Sequence, residues 1–170
     1  RYHVSINNNR LHPLQKGCFI FVQNLLMEEY SWKADIRWAD IDPNFHVLHS
    51  KYYDYAASCR MAFLTGHGIT PALMMAKHTG PIIFREECVF KKEIKYGDAV
   101  AVLMKMDKLS EDYRKWTFVN ELYINGDTLA AVVTVDGAWM DTLQRKVAAP
   151  PAEFRIGIDQ IPKTNTFRFV

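Results

Sequence analysis

Residues 40–52 read Asp40-Ile41-Asp42-Pro43-Asn44-Phe45-His46-Val47-Leu48-His49-Ser50-Lys51-Tyr52, and this stretch joins a predicted strand to a predicted helix. Before it, apolar and polar residues alternate from Trp32 to Trp38, which is the period of a half-buried strand. After it, apolar residues recur at helical spacing: Tyr52, Ala56, Cys59 and Phe63. The sequence therefore predicts a strand over residues 31–39, a helix over residues 51–66, and an acidic loop facing the helix N-terminus.

The rest of the chain is dominated by strand patterns. Alternating or apolar segments separated by turn residues predict four more strands, over residues 82–94, 99–108, 113–124 and 128–140. Asn125-Gly126 between the last two is a strong hairpin signal. Short helices are predicted over residues 71–77 and 153–158. One long helix and five strands predict an α+β fold, in which a five-stranded antiparallel sheet wraps around the helix.

Length and composition indicate one globular domain. At 170 residues the chain is long enough to bury a substantial core. Residues 1–26 are polar and turn-prone at their start, and Met27 precedes the first strand pattern closely. We therefore expect a domain over residues 27–170, preceded by an extension over residues 1–26 that is not native to it.

Charge, apolar runs and cysteines narrow the function classes. A formal net charge of +2 does not favour a nucleic-acid-binding protein. The longest apolar run, around residues 18–27, is too interrupted to span a bilayer. The three cysteines are widely spaced and show no disulfide or CxxC pattern, which favours a reducing, cytoplasmic location.

The chemistry of the loop centres on Asp42. If the loop folds back, its carboxylate and the free N–H groups of the helix start face one small volume. Those N–H groups would polarise a carbonyl oxygen and stabilise the charge that develops on it. An aspartate is a weak base at neutral pH, so Asp42 is expected to act as a nucleophile or to orient an attacking water. Transfer of an acyl group from a thioester suits such a site, because a thiolate leaving group needs little acid assistance.

Other residues of the stretch have more ordinary interpretations. Asp42-Pro43-Asn44 alone is typical turn chemistry. The histidines His46 and His49 are three residues apart, but no third ligand stands out, so we predict no metal site. Ser50 is expected to cap the helix, because its hydroxyl can accept a hydrogen bond from a first-turn N–H.

The stretch resembles the signature of hotdog-fold thioesterases of the 4-hydroxybenzoyl-CoA thioesterase type, including the Tol-Pal-associated acyl-CoA thioesterases. That signature reads roughly D-x-D-x-x-G-H-V-x-x-x-x-Y, and here it begins at Asp40 and ends with Tyr52. Three further segments extend the resemblance over residues 30–155: Gly80-Pro81-Ile82, Tyr96-Gly97-Asp98 and Ala149-Pro150-Pro151. The resemblance implies a hotdog fold and hydrolysis of acyl-CoA thioesters.

The resemblance also implies roles for particular residues. The catalytic carboxylate falls on Asp42, and the backbone N–H that polarises the thioester carbonyl falls on His49, whose side chain is a second candidate. Substrate contacts are expected from four further positions: Phe45, Ser50, Tyr52 and Gly80. No cofactor is implied beyond the coenzyme A of the substrate. The family pattern implies a homodimer or a homotetramer with sites at the interface, and no membrane span.

Three positions depart from the family pattern. Phe45 replaces the usual glycine, so we expect it to narrow or redirect the pocket. Ala57 replaces a common glutamate, and Cys59 replaces the more usual alanine before Arg60. These departures keep open a rival interpretation, a non-catalytic hotdog protein that binds acyl-CoA. A hotdog hydratase is a third alternative, but the differently placed histidine and carboxylate that it requires are not identified in the sequence.

Overall fold

The computed structural model describes residues 30–170, which form a curved sheet with one long helix. The strands are β1 (Ser31–Ala34), β2 (Thr79–Phe90), β3 (Val100–Leu109), β4 (Lys115–Ile124), β5 (Thr128–Asp141), β6 (Lys146–Val147) and β7 (Lys163–Phe169). The helices are α1 (His49–Gly66), α2 (Pro71–Ala76) and α3 (Ala152–Asp159). The predicted extension over residues 1–26 lies outside the described residues.

Five of the strands make one antiparallel path in the order β1-β3-β4-β5-β2. This path and the single long helix confirm the predicted architecture. Two strands were not predicted: β6 pairs with β5, and β7 pairs with β3 in parallel. The strand β7 takes the part of the β3 edge that β1 leaves free, because β1 pairs with Val100–Leu103 and β7 with residues from Met106 onward.

The helix α1 lies against the sheet through small side chains. Ala56 and Cys59 are fully buried, and the Cys59 thiol donates to the backbone oxygen of Val102 at 3.4 Å. Burial raises the pKa of Cys59 to about 12 and that of Cys88 to about 11, so neither thiol is an activated nucleophile. Small residues on this face let the sheet approach the helix closely.

No helix within residues 30–170 is both long and apolar enough to cross a membrane. The cytoplasmic location stays a prediction from the cysteine pattern.

The predicted first strand over residues 31–39 is too long. The strand β1 ends at Ala34, and a 3-10 turn follows at Trp38–Asp40. The cause is the buried carboxylate of Asp40, which accepts hydrogen bonds from the backbone N–H, Nε and Nη2 of Arg37 at 2.9–3.2 Å. The Tyr55 hydroxyl of α1 donates to the same carboxylate at 3.2 Å. This carboxylate turns the chain out of the sheet and fixes the loop beside α1.

Replacing Asp40 by asparagine should destabilise the fold by about 1–3 kcal/mol, because the negative charge and one of the two oxygens that accept from Arg37 and Tyr55 are lost. The Arg37 guanidinium holds the pKa of Asp40 below its usual value. Because its pKa is lower in the folded state, ionised Asp40 stabilises the protein at pH values above about 3.9, which is the pKa of an aspartate in the unfolded chain. This contribution to the free energy of unfolding is lost as the pH falls further, toward the pKa of the folded state. The difference in urea unfolding between wild type and Asp40→Asn should therefore be smaller at pH 3 than at pH 7. An equal difference at both pH values would contradict this account.

Candidate active site

The loop between the 3-10 turn and α1 closes tightly on Asp42. The backbone N–H of Asp42 donates to the oxygen of His46 at 2.8 Å. In return, the backbone N–H groups of Asn44 and His46 donate to Oδ1 of Asp42 at 2.8 Å and 3.1 Å. These bonds hold the half-buried carboxylate in a fixed position near the start of α1.

The same bonds keep the carboxylate ionised. The backbone N–H of His46, with a smaller contribution from that of Asn44, holds the pKa of Asp42 below its usual value, although burial acts in the opposite direction. Asp42 is therefore a carboxylate throughout the neutral range and a poor acceptor of protons there. This favours Asp42 as a nucleophile or as an orienter of water.

The helix α1 starts without a side-chain cap. Its N-cap residue is Leu48, whose side chain has no oxygen to accept a hydrogen bond. In the part of the chain that the structure describes, the N–H groups of His49 and Ser50 have no hydrogen-bond acceptor. The predicted capping role of Ser50 is therefore wrong, because the helix begins two residues earlier than predicted and Ser50 lies inside its first turn. The consequence is a pair of unpaired donors at the N-terminus of an 18-residue helix.

Asp42 and His49 line one open groove of about 870 Å³. Tyr52, which is buried and packs against Phe90 at 5.0 Å between ring centroids, lines the same groove. The structure thus brings together three of the residues predicted from the sequence. Their arrangement places an ionised carboxylate and the uncapped helix start around one volume.

The other three predicted substrate contacts do not line this groove. Ser50 follows His49 in the first turn, and Gly80 lies in β2 opposite Met140. Phe45 is largely exposed and has a φ of 64°. That left-handed backbone costs a bulky side chain about 1–2 kcal/mol, which explains why glycine suits this position in the resembling family.

Several groove residues come from the end of β2 and the segment after it. The His46 ring nitrogen Nε2 lies 2.9 Å from the Glu93 carboxylate. The backbone N–H of Val47 donates to the oxygen of Ile94 at 2.8 Å, which ties the loop to this segment. Three lysines line the same wall: Lys91, Lys92 and Lys95. Their charge was visible in the sequence, but their position opposite Asp42 was not.

This arrangement can polarise and attack a carbonyl group. A carbonyl oxygen placed at the N–H group of His49 would gain a hydrogen-bond donor, and the Asp42 carboxylate could attack the carbon or direct a water to it. Within residues 30–170, no three His, Cys, Asp or Glu side chains come together in a metal-binding cluster. The Asp42 carboxylate and the helix N–H group fit acyl chemistry.

Comparison with known proteins identifies relatives of this architecture. The model of the family described as the thioesterase-like superfamily matches residues 36–158, which include the loop, α1 and the strands β2 to β6. No match was found among curated proteins.

Many solved structures share the fold. A hypothetical protein from Staphylococcus aureus in complex with CoA is similar with a TM-score of 0.73, 19% identity, and coverage of 82% of this chain and 89% of that one. A 1,4-dihydroxy-2-naphthoyl-CoA thioesterase from Synechocystis is similar with a TM-score of 0.69, 14% identity, and coverage of 77% and 96%. A thioesterase from Thermus thermophilus, complexed with coenzyme A and Zn, is similar with a TM-score of 0.62, 23% identity, and coverage of 75% and 90%. At these identities the likeness shows the fold.

Proposed function

Because the chain belongs to the thioesterase-like superfamily, we propose that it hydrolyses acyl-CoA thioesters to a free acid and CoA. Asp42 is the nucleophile or the residue that directs the attacking water. The backbone N–H of His49, at the uncapped start of α1, stabilises the oxyanion. The thiolate of CoA leaves without needing a strong acid.

One observation carries this proposal: Asp42 and the uncapped start of α1 line the same groove. Neighbours crystallised with CoA, from Staphylococcus aureus and Thermus thermophilus, support a CoA thioester as the substrate class.

Release of free thiol from a panel of acyl-CoAs tests the proposal. We expect turnover of at least one short, aromatic or long-chain thioester by the wild-type protein. Binding of acyl-CoA without thiol release across the panel would instead support the rival, a non-catalytic acyl-CoA-binding protein. A change in enoyl absorbance without thiol release would indicate a hydratase.

The lysine wall of the groove is proposed to bind the phosphates of CoA. Lys91 and Lys92 are exposed, and no ion pair is found for them among the described residues. Exposed charge contacts contribute about 0.5–1 kcal/mol each, so Lys91→Ala and Lys92→Ala should each raise KM about 2–5-fold with little change in kcat. The effect should shrink at high salt. The matching N-acetylcysteamine thioester lacks these phosphates, and an equal rise in its KM would contradict the assignment.

The edge of the sheet supports a homodimer, with a homotetramer as a pair of such dimers. The strand β2 ends the five-strand path, is 12 residues long, and pairs only with β5 within residues 30–170. Its exposed apolar side chains include Phe84 and Val89, at 60% and 49% exposure. A long apolar edge of this kind promotes strand pairing between chains. Sedimentation velocity should show a dimer or tetramer that Val89→Lys weakens, and a monomeric wild type would overturn this assignment.

A further inference from the structure

A second, smaller cavity lies between the C-terminal half of α1 and the sheet. Its volume is about 150 Å³, and it shares no lining residue with the groove of Asp42. Ala57 is its lining residue nearest to the start of α1. At a rise of 1.5 Å per residue, Ala57 lies about 12 Å along the axis from His49, so the cavity is a separate compartment.

The walls of this cavity are mostly apolar and partly aromatic. Six side chains make most of them: Ala57, Met61 and Leu64 from α1, and Trp116, Phe118 and Trp139 from the sheet. The three aromatic residues are at least 95% buried, whereas Pro81 and Ile83 on the β2 side are exposed. The cavity therefore has an aromatic floor and a mouth beside β2.

We propose that this cavity binds a single aromatic ring. An apolar protein cavity of about 150 Å³ accepts a benzene molecule, and this cavity has the same volume. Aromatic walls favour a ring over a flexible chain, because edge-to-face and offset contacts add to the burial of apolar surface.

The polar groups at the cavity indicate which rings bind best. Arg60 lines the cavity and is 6% exposed; its Nη1 donates to Asn120 at 3.1 Å and its Nη2 to Glu86 at 3.0 Å. A guanidinium has five N–H donors, so these two bonds leave donors for a ligand. A ring that carries an oxygen acceptor is therefore preferred to a bare hydrocarbon ring.

The ring can come from two sources. It can be a ring at the far end of a substrate's acyl chain, about 12 Å from His49, and that source rests on the proposed hydrolase function. It can equally be a free small molecule that occupies the cavity on its own. Both sources present the same chemistry to the walls, so binding is measured first without any reference to turnover.

Saturation-transfer NMR with phenol and toluene tests the binding. Wild type should bind both, with phenol tighter than toluene. Ala57→Leu adds three carbons at the cavity wall and should weaken both about tenfold or more. Ala62→Leu makes the same change on the same helix away from the cavity and should leave binding intact. No binding by wild type, or equal binding by Ala57→Leu, would overturn the proposal.

A variant at the mouth of the cavity tests the proposal independently, in case Ala57→Leu does not fold. Ile83 is 51% exposed, so Ile83→Trp should block the mouth and weaken phenol binding without disturbing the buried core. Ile156→Trp, at a 72% exposed position on α3, is the matched control and should bind phenol like wild type. Equal phenol binding by both tryptophan variants would contradict the assigned entrance.

A turnover measurement separates the two sources. Competition by phenol against thiol release in wild type, absent in Ala57→Leu, would assign the ring to the acyl group. Phenol binding without any effect on thiol release would assign a free ligand. Ring binding by a protein that releases no thiol would refute the proposed hydrolase function and leave the ring site standing.

Discussion

The Asp42→Asn variant should lose about 10²–10⁴-fold in kcat for acyl-CoA hydrolysis. Asparagine retains the size of the side chain and an oxygen that can accept from the N–H groups of Asn44 and His46, so the loop should keep its shape. What it removes is the negative charge that attacks the carbonyl or directs the water. Thiol release under saturating substrate measures the loss.

Two controls separate chemistry from folding in this experiment. Asp54→Asn removes one negative charge from an exposed site of α1 outside the groove and should hydrolyse like wild type. Affinity of Asp42→Asn for the product CoA should stay within about threefold of wild type, a difference below 1 kcal/mol. Full activity in Asp42→Asn would remove this residue from the mechanism.

The His49→Pro variant should lose about 10²–10³-fold in kcat, which is the cost typical of removing one oxyanion donor. Proline has no N–H, yet it is favoured at the first position of a helix, where that N–H makes no helical bond. The preceding Leu48 has φ −50° and ψ 135°, a conformation that a following proline tolerates. Thermal stability should therefore change little while hydrolysis is lost.

A second variant at this position distinguishes the contribution of the backbone N–H from that of the imidazole side chain. His49→Ala removes the imidazole and retains the N–H, so it should keep most of the activity if the backbone is the donor. Equal losses in His49→Ala and His49→Pro would assign the role to the side chain instead. Activity retained in both variants would contradict an oxyanion site at this helix start.

The sequence predicts those elements whose patterns are local. The helical spacing of Ala56 and Cys59 and the hairpin at Asn125-Gly126 both correspond to observed structure, because each depends on neighbouring residues. The strand β7 was not predicted, because it forms by parallel pairing with β3. Hydrogen bonds from Thr164 and Thr166 to Asp107 hold it there. Contacts between residues so far apart in the chain leave no periodic signal in it.

In the candidate site, too, the features that depend on neighbouring residues could be predicted, and those that depend on distant contacts could not. The proximity of Asp42 and His49 could be predicted, because a carboxylate near a helix start is a local arrangement. The absence of a side-chain cap at the start of α1 could not be predicted, because it depends on the helix beginning at His49 with Leu48 as its N-cap. The pairing of His46 with Glu93 and the lysines opposite Asp42 arise where β2 ends beside the loop, which only the folded sheet determines.

Infrared difference spectroscopy of an acyl-CoA bound to Asp42→Asn tests most directly whether a thioester carbonyl sits on the start of α1. With a ¹³C-labelled carbonyl, the C=O band should move to lower frequency than in free substrate, because the donated hydrogen bonds weaken that bond. The shift should shrink when His49→Pro is added. A bound carbonyl whose band stays at the free position would contradict the shared site of Asp42 and the helix N–H groups.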